Sequence, residues 1–333
     1  MTIPGKRSAG KRSLVLVLGR GRGPTVLGGI LSRLGFRVSG IGALHATSAP
    51  PAAAESKQLA QLHADLLDRA GVRATDARPA AWAETARIGL DSRTGRELRR
   101  WLASAFRRAD DIAVVDPNTS WFLPAWRRSS EAVGAATHVV VILEPVEPAG
   151  EPGHPAHAWE NETTRLAAWV NRALFVERAT REEARAFVRY DDLLDDWAQT
   201  VARLAQALDF PVVEEAPWRS LVRADEFMSG PLAERRDWNP SDALPDTLRN
   251  QAEEAWRLLS ELARGDADVQ ALLDGLDRLR SAYVRLYAEA AAVADSSIWA
   301  AGRKPPPAHF ALEQVRNRLP ARWRARVARI VRR

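Results

Sequence analysis

Apolar and polar positions change period along this chain and outline its elements. Leu14 to Leu18 is an unbroken apolar run, the mark of a short strand buried on both faces. Glycines then alternate with arginines through Gly19, Arg20, Gly21, Arg22 and Gly23, followed by Pro24 and an apolar stretch from Val26 to Leu34. Proline suits the first position of a helix because its missing N–H would have had no partner there. The pattern therefore predicts strand, glycine turn, helix. Phe36 to His45 reads as a short second strand, and Glu55 to Ala70 as a helix with its apolar stripe at 59, 62, 66 and 67. Residues 71–92 read as irregular. Arg93 to Arg108 is an amphipathic helix with Leu98, Trp101, Leu102 and Phe106 inward. Strands follow at Ile112–Val115, His138–Leu143 and Ala186–Tyr190, and helices at Trp121–Gly134, Trp159–Arg178 and Asp191–Leu208. Residues 144–158 hold four prolines and two glycines and read as loop.

Strands alternating with helices at this spacing predict an α/β fold: three layers, with right-handed βαβ units and a mostly parallel sheet covered on both faces. Ligands of such sheets bind at the carboxyl ends of the strands, where Gly19, Asp116, Glu144 and Tyr190 all fall. Beyond Glu214 no strand is predicted. Leu248–Arg264 and Asp266–Val293 read as two long helices joined at Gly265, an antiparallel hairpin that offers a surface for oligomer formation over 248–293. Lys304-Pro305-Pro306-Pro307 breaks the pattern, and the last stretch sets Leu319, Trp323, Val327, Ile330 and Val331 roughly along one face. The expected organisation is a disordered basic arm over 1–12, an α/β domain over 13–212, an all-helical extension over 213–303 and a basic amphipathic segment over 304–333.

Composition narrows the chemistry. The 333 residues include no cysteine, which excludes disulfides, thiolate metal sites and a cysteine nucleophile. The six histidines show no metal-ligand spacing, so no metal is expected. No apolar run approaches the roughly 20 residues of a membrane span, and Leu14–Leu18 is too short for a signal-peptide core. The net charge is +6, of which residues 1–13 hold +4 and residues 313–333 hold +7, leaving −5 for the body. A mildly acidic body with basic ends speaks against a nucleic-acid-binding core and for ends that touch something anionic. The C-terminal segment has two readings, an anchor on an anionic membrane through 313–333 or a helix docked on the body. The expected location is cytoplasmic, with peripheral attachment to the inner membrane face on the first reading.

The glycine turn after the first strand aims backbone N–H groups and a helix dipole at one spot, a place for an anion. Arg20 and Arg22 add forked donors. Alternatively it is a plain turn with solvated arginines. The nucleotide phosphate loop, G-x-x-x-x-G-K-[ST], fails because Pro24, Thr25 and Val26 occupy its last glycine, lysine and hydroxyl positions. The absent lysine also speaks against a nucleotide kinase. The dinucleotide fingerprint fails at Pro24 and lacks its acidic partner.

The stretch instead resembles the 5′-phosphosulfate loop of bacterial sulfotransferases, strand-G-x-x-R-S-G-T-S-helix, matching at Gly19, Arg22 and Thr25. The segments AVVDPNTSWFLPAW, TRLAAWVNRALFVERAT and FVRYDDLLDDWAQTVARLAQALDF are similar to later blocks of that family, in the same order, so the resemblance covers about residues 13–212. It implies a fold of P-loop/sulfotransferase type and, as cofactor, 3′-phosphoadenosine 5′-phosphosulfate. It also implies transfer of a sulfuryl group to a hydroxyl of a carbohydrate or (glyco)lipid acceptor. On that resemblance Gly19, Arg20, Gly21, Arg22, Gly23, Thr25, Asp116 and Asn118 would hold the cofactor, with Arg22 also stabilising the departing charge. Thr25 would give its hydroxyl to the 5′-phosphate or make a local bond at the helix start. Glu55 matches the usual general base and His45 is the other candidate; alternatively Glu55 is a carboxylate favouring a helix N-terminus. His63 reads as structural. Asp116 would orient the acceptor or a loop arginine, or cap the helix near Trp121, where Ser120 is the better placed cap.

The departures from the family fall on the donor site. Val115 and Asn118 replace its Lys and Arg, Glu144 replaces an Arg that holds the 3′-phosphate, and no serine follows. A carboxylate facing a phosphate is repulsive by a few kcal/mol, on the order of Coulomb's law at ~4 Å and intermediate dielectric. The alternative is therefore a degenerate, non-catalytic sulfotransferase-like binding or scaffold protein.

Overall fold

The computed structural model describes residues 12–40, 50–146, 161–209, 216–230, 235, 237–241, 243–265 and 268–302. Five strands, β1 (Arg12–Leu18), β2 (Arg37–Ser39), β3 (Asp111–Val114), β4 (Ala135–Leu143) and β5 (Ala184–Arg189), form one sheet in the order β2-β3-β1-β4-β5. Every pairing is parallel. The register sets Leu14 beside Ile112 of β3, and Val15 beside His138 of β4. The order reverses between β1 and β4, so the crevice beyond their carboxyl ends is the natural ligand position of an open parallel sheet.

Eleven helices are described: α1 (Arg22–Arg33), α2 (Pro50–Ala70), α3 (Ala81–Gly89), α4 (Ser92–Ala105), α5 (Leu123–Ala132), α6 (Glu162–Ala179), α7 (Tyr190–Asp195), α8 (Trp197–Ala207), α9 (Trp218–Met228), α10 (Asp246–Arg264) and α11 (Val269–Gly302). Strand side chains alternate between faces. Val15, Val17, Ala113, Val115, Val140 and Ile142 form one apolar face, packed with Val26, Leu27 and Ile30 of α1, Val201 and Leu204 of α8 and Ala224 of α9. Leu14, Leu16, Leu18, Ile112, Val114, Val139 and Val141 are buried on the other face, where α5 packs on β4 and α10 on β5. Burial on both faces is why the strands read as unbroken apolar runs.

Several expected boundaries move. Helix α1 starts at Arg22, with Pro24 as its third residue. The second strand ends at Ser39 rather than His45; residues 41–49, and His45 with them, lie outside the described residues. The stretch 71–92 contains α3, and Asp91 caps α4 by accepting the Arg93 amide. The helix expected over 191–208 breaks at Asp196, whose side chain caps α8 through the Gln199 amide at 2.8 Å. Helix α9 was not expected. Arg12, assigned to the basic arm, belongs to β1; residues 1–11 and 303–333, with the arm and the C-terminal segment expected there, lie outside the described residues.

One compact unit spans Met1–Val284 and a second Arg285–Arg333. The boundary expected at 212/213 thus falls inside the first unit. Leu248, Ala252, Ala255 and Leu259 of α10 and Leu272, Leu276 and Tyr283 of α11 are buried, and Gly275 lies against Leu258. In the second unit, the described residues continue helix α11 from 285 to 302. Among the described residues no helix is long and apolar enough to cross a membrane.

Buried charge fastens α11 to the sheet side. Glu177 of α6 is fully buried and accepts from Arg181 Nε at 2.9 Å and Nη2 at 2.8 Å, and from Arg185 Nη2 at 3.0 Å. Arg181 also grips Asp277 of α11 at 2.9 and 2.6 Å. Hydrogen bonds from Arg181 hold the Asp277 carboxyl below its ordinary pKa. Its contribution is therefore complete above the unfolded-state value near about 4 and is lost as pH falls through the folded-state value. We predict that Arg181→Met costs about 3–5 kcal/mol, because it strips a buried carboxylate of a partner. Asp277→Asn should cost under about 1 kcal/mol, since that side chain is one-third exposed. Urea melts across acidic pH should show a shallower loss of stability in Asp277→Asn than in the parent.

Candidate functional site

The turn leaving β1 is shaped by glycine. Gly21 has φ 107°, and a Cβ there would lie 2.3 Å from a Glu144 carboxylate oxygen. A Cβ on Gly23 would lie 2.5 Å from Ile142 Cγ2. The chain thus brings its backbone against the end of β4 as no larger residue would allow.

A helix start leaves about four N–H groups without intrahelical partners. In α1 these belong to Gly21, Arg22, Gly23 and Pro24, and Pro24 has none to give. The Glu144 carboxylate takes two of the remaining three. Its Oε1 accepts the Arg22 amide at 3.2 Å, and its Oε2 the Gly23 amide at 2.8 Å. Glu144 follows β4 directly and is 3% exposed. Its own carbonyl accepts the Trp169 indole N–H at 3.0 Å, which fixes the backbone from behind. The anion position at the carboxyl edge is therefore filled by the chain's own carboxylate, with the helix dipole favouring the charge. Glu144, expected to repel a phosphate, instead binds the amides of the helix start.

Arg20 turns to the other side, where its Nη1 donates to the Ala74 carbonyl at 3.5 Å. That carbonyl also accepts the Trp121 indole N–H at 3.4 Å and Arg172 Nη2 at 2.5 Å. Arg172 of α6 is nine-tenths buried and donates to the Pro117 carbonyl at 3.0 Å. The segment around Ala74 is held over the carboxyl edge by three donors from three elements. Asp76, two residues on, accepts from Arg78 at 2.8 Å, and Asn171 donates to the Asp76 carbonyl at 2.9 Å.

Asp116 is buried and committed. Its Oδ1 pairs with His63 Nδ1 at 2.8 Å and accepts the Asn118 amide at 2.9 Å. His63 is fully buried, stacks on Phe122 with ring centroids 5.7 Å apart, and receives the Trp126 indole N–H on Nε2 at 3.2 Å. An indole only donates, so Nε2 is the acceptor and Nδ1 carries the proton given to Asp116. Asp116 is thus a local cap and a histidine partner, and Ser120, expected as the helix cap, donates instead to the Pro117 carbonyl at 3.5 Å. Asn118 opens the 3-10 turn Thr119–Phe122, and its Oδ1 is buried without a hydrogen-bond partner.

Glu55, the first proposed base, is not at the turn. Glu55 binds Arg37 Nη2 at 2.5 Å and is also paired with Arg108. Arg37 opens β2 and Arg108 precedes β3, so this ion triad lies toward the amino end of the strands. His45 is outside the described residues. Thr25 is the fourth residue of α1 and half-buried. Sequence reasoning missed the Ala74 segment and Arg172, which carry no motif. It flagged Glu144 only as a departure. Among the described residues, no three His, Asp or Glu side chains converge as a metal site.

Beside Glu144 lies a cleft of about 230 Å³, bounded by Pro145 and Val146, by Glu162, Arg165 and Leu166 of α6, and by residues 237–240 with Leu244. Trp238 stacks on Trp256 with centroids 4.9 Å apart and leans on Trp169 at 4.8 Å. Its indole N–H is buried and has no hydrogen-bond partner among the described residues.

No protein-family model, curated protein or solved structure matches this chain.

Removing the internal anion should loosen the turn. Glu144→Ala is expected to lower the unfolding free energy by roughly 1–3 kcal/mol, the cost of leaving buried donors unmade. Added formate should recover part of the loss in thermal melts, while chloride at equal ionic strength should not.

Proposed function

We propose that this chain is a sulfotransferase-like α/β protein that does not take up 3′-phosphoadenosine 5′-phosphosulfate and serves as a binding or scaffold protein. The observation that carries the reading is the Glu144 carboxylate on the Arg22 and Gly23 amides. A 5′-phosphate would have to displace a buried, doubly bonded carboxylate, and one that stayed nearby would repel it. Val115 and Asn118, in place of the family's cationic residues, and the orientation of Arg20 toward Ala74 support the same view. So does the position of Glu55, which is held by Arg37 and Arg108 away from the turn.

The neighbouring cleft supplies the binding role. Glu162, Asp237 and Asn239 at its walls and a floor of Leu166 and Leu244 suit a hydroxyl-bearing carbohydrate or lipid. This is the acceptor class that the resemblance implies, here bound rather than sulfated. Sulfuryl transfer, the rival, requires Glu144 to leave the amides so that Arg22 and the turn can face the donor.

Calorimetric titration with 3′-phosphoadenosine 5′-phosphate separates the two. The expected result for the parent protein is no heat of binding up to millimolar nucleotide. Micromolar binding that disappears in Arg22→Ala would defeat the proposal and restore a donor-using enzyme.

A further inference from the structure

Helix α4 turns one face inward through Leu98, Trp101, Leu102 and Ala105, all buried. Between residues 93 and 108 the exposed positions are 93, 96, 99, 100, 103, 107 and 108. All are arginine except Ala103. Positions 93, 96, 100 and 103 follow the i, i+3, i+7 spacing of a single stripe along the helix axis, with Arg99 beside it and Arg107 just beyond the helix end. Two of the six cations are paired, Arg93 with Glu97 and Arg108 with Glu55. Arg107 donates only to Ala103 and Ser104 of its own turn. Arg96 feels Asp91 at longer range, and Arg99 and Arg100 make no ion pair among the described residues.

This stripe lies on a body whose net charge, without its basic ends, is −5. Like charges three and four residues apart oppose helix formation. The fold carries them because the inner face of α4 is well buried. The same edge receives another basic piece of chain. Arg12, the first residue of β1, lies over the Phe106 ring at 5.4 Å, just beyond the end of α4. Arg12 thus adds a further guanidinium just beyond the end of α4.

We infer that the α4 stripe is a docking surface for an anionic lipid bilayer. A convex ridge of guanidinium groups can lie flat on a plane of phosphate headgroups. Leu90, 49% exposed where α3 meets α4, gives an apolar contact that a bilayer can accept. Trp101 of α4 and Phe106 just after it are buried, so the stripe has no rings on which nucleic-acid bases could stack. The inference is independent of whether the nucleotide site is open or closed.

The test is co-sedimentation of the full chain with vesicles. The protein should pellet with mixed phosphatidylcholine–phosphatidylglycerol vesicles, stay in solution with phosphatidylcholine alone, and be released by high salt. The triple change Arg96→Gln, Arg99→Gln, Arg100→Gln should weaken vesicle binding by about a hundredfold, from roughly 1 kcal/mol per basic residue at the surface. The triple Glu variant should weaken it further, with unchanged circular dichroism and melting confirming that both variants fold. Undiminished binding in both folded variants would overturn the inference by assigning attachment to the chain ends alone. Tighter binding to duplex DNA than to the acidic vesicles would overturn it as well.

Discussion

The Glu144 carboxylate and the first turn of α1 hold each other in place, and the carboxyl edge of the sheet is arranged around that contact. A buried charge needs partners, and a buried helix start needs acceptors. Here each meets the need of the other across the point where the strand order reverses. The contact explains why Gly21 and Gly23 admit no side chain and why Trp169 holds the Glu144 carbonyl. It also ties β1 to β4 beyond the last backbone pairing at Leu18 and Val141.

Around this centre, several polar groups of the edge are paired from within. The Ala74 carbonyl collects Arg20, Trp121 and Arg172, and Tyr283 of α11 donates to the Ala77 carbonyl at 2.6 Å. A segment without regular structure thus acts as a strut between the sheet, α6 and α11. Asp116, His63 and Trp126 form a second closed chain of bonds on the β3 side. Groups that would serve chemistry in an open crevice hold the fold together here.

Much of the scaffold was legible in the sequence, because burial on both faces writes strands as unbroken apolar runs and helices as stripes. The errors have local causes. Proline is as harmless in the third helical position as in the first, since neither N–H would have a partner, so Pro24 did not mark the start of α1. Asp196 broke an apparently continuous helix because its side chain caps the Gln199 amide. Helix α9 was hidden because exposed Trp218 and Val222 blur its apolar side. At the site, the glycine turn and helix start at 19–25 were legible, and Glu144 was visible as a departure from the family pattern. That it fills the position rather than facing an incoming group depends on where β4 ends relative to α1, which sequence spacing does not encode. The role of Arg172 rests on carbonyls 55 and 98 residues away.

Pro24 has a further consequence. A phosphate or sulfate group has three terminal oxygens arranged as a tripod, and a loop that grips one commonly offers at least as many N–H groups. By placing an imino acid third in the helix, this chain removes one of the four N–H groups of the helix start, and the Glu144 carboxylate takes two neighbouring amides of the three that remain. Two parallel donors fit the flat, two-pronged shape of a carboxylate, so the turn is matched in geometry to the group that occupies it.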